Sequence, residues 1–386
     1  MNKRESIYRW AAQGVIALYG AACLLLFYRQ SIADLSASGQ IPYQSDLPLH
    51  ISMIVEDGWY YSFTAYVYQA LHILCGGSTI GIAVFLALMA WGTVLLTERF
   101  LCFLSGWKQS AYTAMLALSL NLVMPIFIPK VGEFRYISYQ SGNIWHNSTY
   151  ICMRLVALGE LFLYFKLEKK YREGLSWKEW GAFALLNVIC TGIKPSFLVV
   201  FSPIVGIFLL ADLIRKVPLK RILLFGSALL PSALVLLWQN AVLFGEDTGN
   251  GIAWKPWYSF SLHTNIPKLA VVCSVLFCGL VILLTCKELR RDRIYLFTVL
   301  MSILGFLEAW GLVEQGHRAS DGNFLWGYSF CLFVLFAVCA VKWLKMARQG
   351  LSAVIFGVLA VVYGVHLYCG LYFFLCLVGG ASYWMT

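Results

Sequence analysis

Four short segments of this chain gather groups able to move protons or hold anions. In QIPYQSDLPLHISMIVEDGWYYS, Asp46 and His50 stand four residues apart around Pro48, a spacing that lets both share one turn. In PKVGEFRYISYQSGNIWHNSTYI, the turn signal Gly142-Asn143 leads to Trp145, His146 and Asn147, with Ser148 and Thr149 as candidate caps of a following helix. GIKPSF places Lys194 directly before Pro195. EAWGLVEQGHRASDGNFLWGY packs Glu308, Glu314, His317, Arg318, Asp321 and Asn323 between Trp310 and Trp326. A carboxylate such as Asp46 can act as general base toward an attacking hydroxyl. Lys194, Arg318, His317 and His146 can hold a phosphate through charge-assisted hydrogen bonds. His50, Trp145, Asn147, Glu314, Asp321 and Asn323 complete the candidate set as substrate-binding groups. Each also has a plainer reading: Asp46 as a helix cap, Lys194 snorkelling to the interface, the tryptophans as an interfacial belt, and the rest as a solvated loop.

These segments need a scaffold. Of the 386 residues 60% are hydrophobic and 12% charged, with mean hydropathy +0.73, against about 25% charged in a soluble domain. Apolar runs predict about 11 transmembrane helices, near 10–28, 78–97, 111–128, 148–165, 180–193, 197–214, 222–243, 267–286, 294–312, 325–341 and 351–370. The fold class expected is an all-α polytopic bundle, one integral-membrane domain over residues 1–386. The outer loops 29–77, 129–147, 245–266 and 313–324 form its candidate active face. The first apolar run is too long for a signal peptide and reads as a retained helix. The short 180–193 run, ending at Lys194-Pro195, predicts a broken or re-entrant helix, and the uncharged tail after Cys369 leaves the side of the C-terminus open. The aromatic run from Trp59 to Tyr68 leads into an amphipathic interfacial segment. GEDTGNGIAWKPWYSFSLH reads as a lid or substrate groove. The twelve cysteines show no CxxC and no metal spacing, which makes them packing residues.

Charge then orients the bundle. Alternate loops carry Lys3, Arg4 and Arg9; Arg99 and Lys108; Lys166 to Lys178; Arg215 to Arg221; Lys287 to Arg293; and Lys342 to Arg348, together 21 of the 29 Lys and Arg. The positive-inside rule makes that end cytoplasmic, so the net charge of +10 is a topology signal suited to anionic lipid rather than to nucleic acid. The other eight cations, all six histidines and 11 of the 19 acids map to the opposite half. Ionisable groups gathered there mark a functional face.

No Walker A, GxSxG or HExxH motif occurs, and no soluble nucleotide-binding domain fits. Chemistry on an outward face needs a donor that arrives activated, and a lipid-linked phosphosugar is one. In layout, a first helix, an acid in the first long outer loop, a KPS-type break and basic cytoplasmic turns resemble the integral-membrane glycosyltransferases of the GT-C fold. SDLPLH, GNIWHNSTY, IKPSF and EQGHRASDGNFLWG resemble segments of bacterial members associated with cell-surface polysaccharide assembly. The resemblance implies sugar transfer from a polyprenyl-phosphate donor to a glycan or lipid-borne acceptor hydroxyl, at the extracytoplasmic face of a multi-pass cell membrane protein. Well-known members carry a paired acidic motif, whereas Asp46 stands alone and Glu56-Asp57 is the nearest pair, so no cofactor or metal is indicated. Two other readings stand beside it. One is an O-antigen-type polymerase or ligase. The other is a transporter or flippase for a lipid-linked glycan, which would need polar groups at mid-membrane on several helices.

Overall fold

The computed structural model describes residues 3–34, 41–244 and 251–386. Parts of the first and third outer segments, 35–40 and 245–250, lie outside the described residues. The described chain is mostly helical: α1 (Lys3–Ser31), α2 (Leu47–Val55), α3 (Phe63–Leu74), α4 (Ile80–Ser105), α5 (Ala111–Leu120), α6 (Ser148–Lys170), α7 (Trp177–Ile193), α8 (Ser196–Ile214), α9 (Leu219–Gly226), α10 (Leu230–Phe244), α11 (Tyr258–Ser261), α12 (Pro267–Thr285), α13 (Arg293–Gly311), α14 (Leu325–Arg348) and α15 (Ala353–Val378). Eight helical stretches are long and apolar enough to cross a membrane. The chain is therefore an all-α, multi-pass membrane protein. α6 and α14 are its central helices, each with most residues buried.

The basic end is held by ion pairs in which one partner is buried. Arg9 of α1 pairs with Glu98 of α4 (Nη2 to Oε2, 2.8 Å), which also accepts from Thr113 at 2.8 Å. Asp212, at the end of α8, accepts from Tyr171 at 2.5 Å and Arg293 at 2.7 Å. Glu168 binds Arg172 at 2.7 Å and also contacts Arg293. Lys342 reaches Glu288 at 2.6 Å and Asp292 at 3.0 Å. Buried charge is tolerable only when paired like this.

Two expectations need correction. The predicted 111–128 helix stops at Leu120. Pro125 has no N–H and disfavours helical backbone at Met124, so the chain leaves the helix and runs irregularly to Asn147. The backbone carbonyls and N–H groups this frees are taken by protein. Asn143 Nδ2 donates to Leu120 O (2.9 Å) and Val123 O (2.7 Å), Met124 N donates to His366 O (3.1 Å), and Ile126 N donates to Cys273 O (3.0 Å). Gly370 of α15 lies so close to this segment that a Cβ there would overlap Leu122 O. The second concerns the bounds of the 180–193 run: the helix spans Trp177–Ile193, and α7 and α8 are the two arms of a helical hairpin that turns at Lys194-Pro195, where the sequence marks a broken or re-entrant helix. α7 starts earlier than expected because Ser176 and Glu179 cap each other's backbone. Asp212 at the end of α8 returns to Tyr171, beside the start of α7, so the two helices run antiparallel.

At the other end the connections interlock. A two-stranded antiparallel ladder joins β1 (Ile252–Trp254) to β2 (Leu312–Glu314), a small exception to the all-helical expectation, and Ile252 faces Glu314. Thus the third outer segment is tied to the fourth. Ser138 Oγ donates to His263 O at 2.7 Å, and Arg135 N to Met385 O at 3.0 Å. Tyr43 N donates to Gly380 O at 3.2 Å. These bonds put the C-terminal tail at the Asp46 end of the bundle, which the sequence left open.

Candidate functional site

The site is organised by the first turn of α6. Three consecutive residues there each hold one candidate group from elsewhere in the chain. Asn147 Nδ2 donates to Asp46 Oδ2 at 2.8 Å. Ser148 Oγ lies 3.0 Å from His50 Nδ1. Thr149 Oγ1 accepts from Lys194 Nζ at 3.2 Å. Asn147, Ser148 and Thr149 are all buried. Neighbouring Cα atoms are about 3.8 Å apart, so this one turn brings Asp46, His50 and Lys194 into a single cluster.

Asp46 occupies the N-cap position of α2, yet its side chain makes no cap bond. An aspartate there normally turns back to the free N–H groups of its own helix, a contact worth about 1 kcal/mol. This one faces away, toward Asn147. Its backbone N–H donates to His146 O at 3.1 Å, and its carbonyl accepts from His50 N at 3.0 Å. Asp46 and His50 therefore share one turn, as their spacing implies.

Lys194 is set by the α7–α8 turn. Pro195 cannot donate a backbone hydrogen bond, and the last carbonyls of α7 are claimed by other elements. Gln239 Nε2 of α10 donates to Gly192 O at 3.0 Å, and Ser62 Oγ, the N-cap of α3, donates to Ile193 O at 2.9 Å. The start of α3 is thereby clamped to the Lys194 turn. The Lys194 ammonium sits 4.7 Å from the centre of the Trp326 ring. Trp326 Nε1 donates to Asn323 Oδ1 (3.3 Å), Asn323 Nδ2 to Glu314 Oε2 (2.8 Å), and Arg318 Nε to the same oxygen (2.8 Å). Asp321 lies 3.9 Å from Arg318. Glu314, Arg318, Asp321 and Asn323 thus form one polar patch linked to Lys194 through Trp326.

Burial sets the protonation of the cluster. It pushes His50 down to about 4; Asp46 opposes that shift, while Lys194 and His146 add to it. His146 is likewise lowered by burial, against Asp46 and with Lys194. Both imidazoles are therefore neutral at pH 7. Burial lowers Lys194 to about 8, with Asp46 and Glu314 opposing and Arg318 reinforcing. Tyr61 is raised by burial, lowered by Arg318 and raised by Asp46, which places it within electrostatic reach of both patches.

The remaining sequence candidates divide. Trp145 is a core residue, 1% exposed, packed against Phe373 and Phe374, with Nε1 3.4 Å from Tyr19 Oη. In this arrangement its ring is enclosed by the core rather than open to the cluster. His146 belongs to the cluster and stacks on Tyr383 at 4.2 Å, and burial lowers its pKa, which favours the neutral imidazole. Asn147 has both ends of its amide engaged within the protein. Its burial also excludes the Asn147-Ser148-Thr149 sequon as a glycan acceptor. The side chain of His317 lies outside the described part of the structure. Glu308 is on α13, and Arg154 on α6 is spent on Asn143 Oδ1 at 2.6 Å. Sequence reading missed the roles of Ser148, Thr149, Tyr61, Trp326 and Tyr383. Among the described residues no group of three or more His, Cys, Asp or Glu side chains could hold a metal.

The arrangement offers a carboxylate with one oxygen fixed, two neutral imidazoles, and an ammonium whose direct contacts are a hydroxyl and a ring face. Such a set can accept a proton on one side and receive an anion on the other. No protein-family model matches the chain, and no curated protein matches it.

Proposed function

We propose that this protein transfers a sugar from a polyprenyl-phosphate donor to an acceptor hydroxyl at the extracytoplasmic face of a cell membrane, in the manner of the GT-C glycosyltransferases its layout resembles. The observation carrying this reading is Asp46, a helix-cap aspartate that leaves its own helix uncapped and turns its carboxylate into a cluster containing Lys194. The basic end faces the cytoplasm by the positive-inside rule, which sets the Asp46 end outside.

In this reading the isoprenoid lies in the bilayer and its phosphate meets Lys194 at headgroup depth. Lys194 is the principal anion ligand, because Arg318 already shares its charge with Glu314 and Asp321. Arg318 adds longer-range field. The acceptor oxygen attacks the anomeric carbon, the bond from that carbon to the phosphate oxygen breaks, and the electron pair leaves with polyprenyl phosphate. Asp46 takes the hydroxyl proton as general base. Lys194 offsets the charge growing on the leaving phosphate, where a preorganised cation in a low-dielectric site is most effective. No cofactor takes part in these steps.

The test follows transfer from a polyprenyl-phosphate sugar with purified protein in nanodiscs. Asp46→Asn should retain donor binding and lower turnover by about 10²–10⁴-fold, the usual contribution of a positioned base. Near-normal turnover in that variant would remove Asp46 from the role. Lipid translocation by wild type without transfer from any lipid-linked donor would favour a flippase instead.

A further inference from the structure

We propose that Asn147 is the positioning residue for Asp46, fixing one carboxylate oxygen so that the other is presented to the acceptor hydroxyl. The inference rests on the transferase reading for its consequence, but the geometry stands by itself. Asn147 is the N-cap of α6, and its Oδ1 accepts from Tyr150 N at 2.9 Å and from Thr149 Oγ1 at 2.9 Å. With two donors on the oxygen, the amide cannot be turned over without losing both. Its Nδ2 is therefore held toward Asp46, 2.8 Å away. The backbone bond from Asp46 N to His146 O closes the same junction from the other side. The side chain is 5% exposed, so water does not compete for this bond.

This double duty allows a clean separation of structure from positioning. Asparagine and aspartate cap helices about equally well. Asn147→Asp therefore keeps the acceptor that α6 needs and replaces only the donor facing Asp46. Two carboxylates at hydrogen-bond distance cannot both ionise, so the pair should retain one proton to higher pH. The titratable groups within electrostatic reach of Asp46 are His50, His146, Lys194, Tyr61, Tyr136 and Tyr383. Only Lys194 among them changes charge near neutrality in wild type, and a lysine gives no protonated-carboxyl band, so it does not enter the infrared readout.

The experiment has two arms on the full-length protein in nanodiscs. Infrared titration reads the protonated-carboxyl band with no substrate present, using Asp46→Asn as the reference that lacks the second carboxyl. In Asn147→Asp a carboxyl band should persist roughly two to three pH units above its wild-type range, with the melting temperature at neutral pH held near wild type by the retained cap. The second arm reads sugar transfer, where the acidic limb of the kcat profile should move up by a similar amount while donor KM changes little. The double variant Asp46→Asn/Asn147→Asp re-forms the bond with its polarity reversed. It should lose the persistent band yet turn over no faster than Asp46→Asn alone. An Asn147→Asp infrared titration identical to wild type would overturn the proposal. A shifted band in a protein that transfers no sugar would uphold the positioning and overturn the transferase reading.

Discussion

The charge of Lys194 should control donor affinity across a narrow alkaline window. Burial sets this lysine at about 8, so roughly 90% is protonated at pH 7 and roughly 10% at pH 9. The other titratable groups of the cluster stay constant there. His50 and His146 are lowered and already neutral, while Tyr61, Tyr136 and Tyr383 are raised and remain protonated. A phosphate monoester, with its second ionisation near pH 6, is a dianion throughout. Binding of polyprenyl monophosphate to protein in neutral-lipid nanodiscs should therefore weaken about tenfold from pH 7 to 9. Lys194→Met should weaken binding at pH 7 by about 10- to 100-fold, the loss of one charge-assisted hydrogen bond, and abolish the slope. Lys194→Arg stays charged throughout and should also flatten the profile. The sign for stability is opposite. Between about pH 8 and the ordinary lysine value of 10.5 the unfolded chain binds the extra proton, so this group's contribution to stability rises with pH. A flat wild-type binding profile, or a wild-type slope surviving in Lys194→Arg, would refute the assignment.

Three further perturbations probe the scaffold. A Cβ at Gly192 would overlap the Phe63 ring, so Gly192→Ala should pry α3 from the Lys194 turn and cost about 1–3 kcal/mol, read as a lower melting temperature with weakened phosphate binding. Arg293→Met removes a partner from both Glu168 and Asp212; each keeps Arg172, so the loss of charge-assisted bonds should cost about 1–3 kcal/mol, seen by thermal unfolding, while Lys194-dependent binding at the other end persists in the folded fraction. In a background stripped of the twelve native cysteines, single cysteines at Ser320 and beside Asp46 should label with an impermeant thiol reagent in intact cells, and those near Lys170 and Arg291 should not. The reverse pattern would invert the orientation.

The helical, multi-pass character was legible because lipid demands long apolar runs, although eight stretches rather than about 11 are long and apolar enough to cross a membrane. The end of α5 was not, since the 111–128 run stays apolar past the point where Pro125 stops a helix. Lys194-Pro195 was correctly marked as a break, but whether a proline interrupts one helix or turns a hairpin depends on where the next helix returns. Asp46, His50 and Lys194 were recognisable as unusual residue types. Their convergence was not, because it is enforced by Asn147, Ser148 and Thr149, whose plain sequence reading is an ordinary helix cap. Trp145 misled for the opposite reason. It neighbours polar residues in the chain, yet points inward against α15. Tyr383 stood in a featureless tail, and only the fold brings its ring onto His146.

The polar groups of the bundle interior bear on enzyme against transporter. A path across the membrane needs groups free to exchange partners with a passing substrate. Here many are spent on their own helices. Thr93 bonds Met89 O, Thr97 bonds Thr93 O, Asn187 bonds Phe183 O, Ser274 bonds Ala270 O, Thr298 bonds Ile294 O and Ser302 bonds Thr298 O, each four residues back. This back-bonding satisfies a hydroxyl or amide without lining a channel. Arg154 Nη1 pins Asn143, whereas Glu160, buried beside Cys190 between α6 and α7, is an exception whose two carboxyl oxygens meet no hydrogen-bond geometry. Residues 147–149 behave differently, since each reaches a group on another element and those groups include the carboxylate, imidazole and ammonium of the cluster. Some interior groups do bridge elements, as Asn121 Nδ2 does to Thr97 Oγ1 (3.3 Å) and Thr285 Oγ1 to Tyr295 Oη (2.7 Å), but in residues 147–149 all three do so, each to a candidate site group. That concentration at one face is the physical support for proposing transfer rather than translocation.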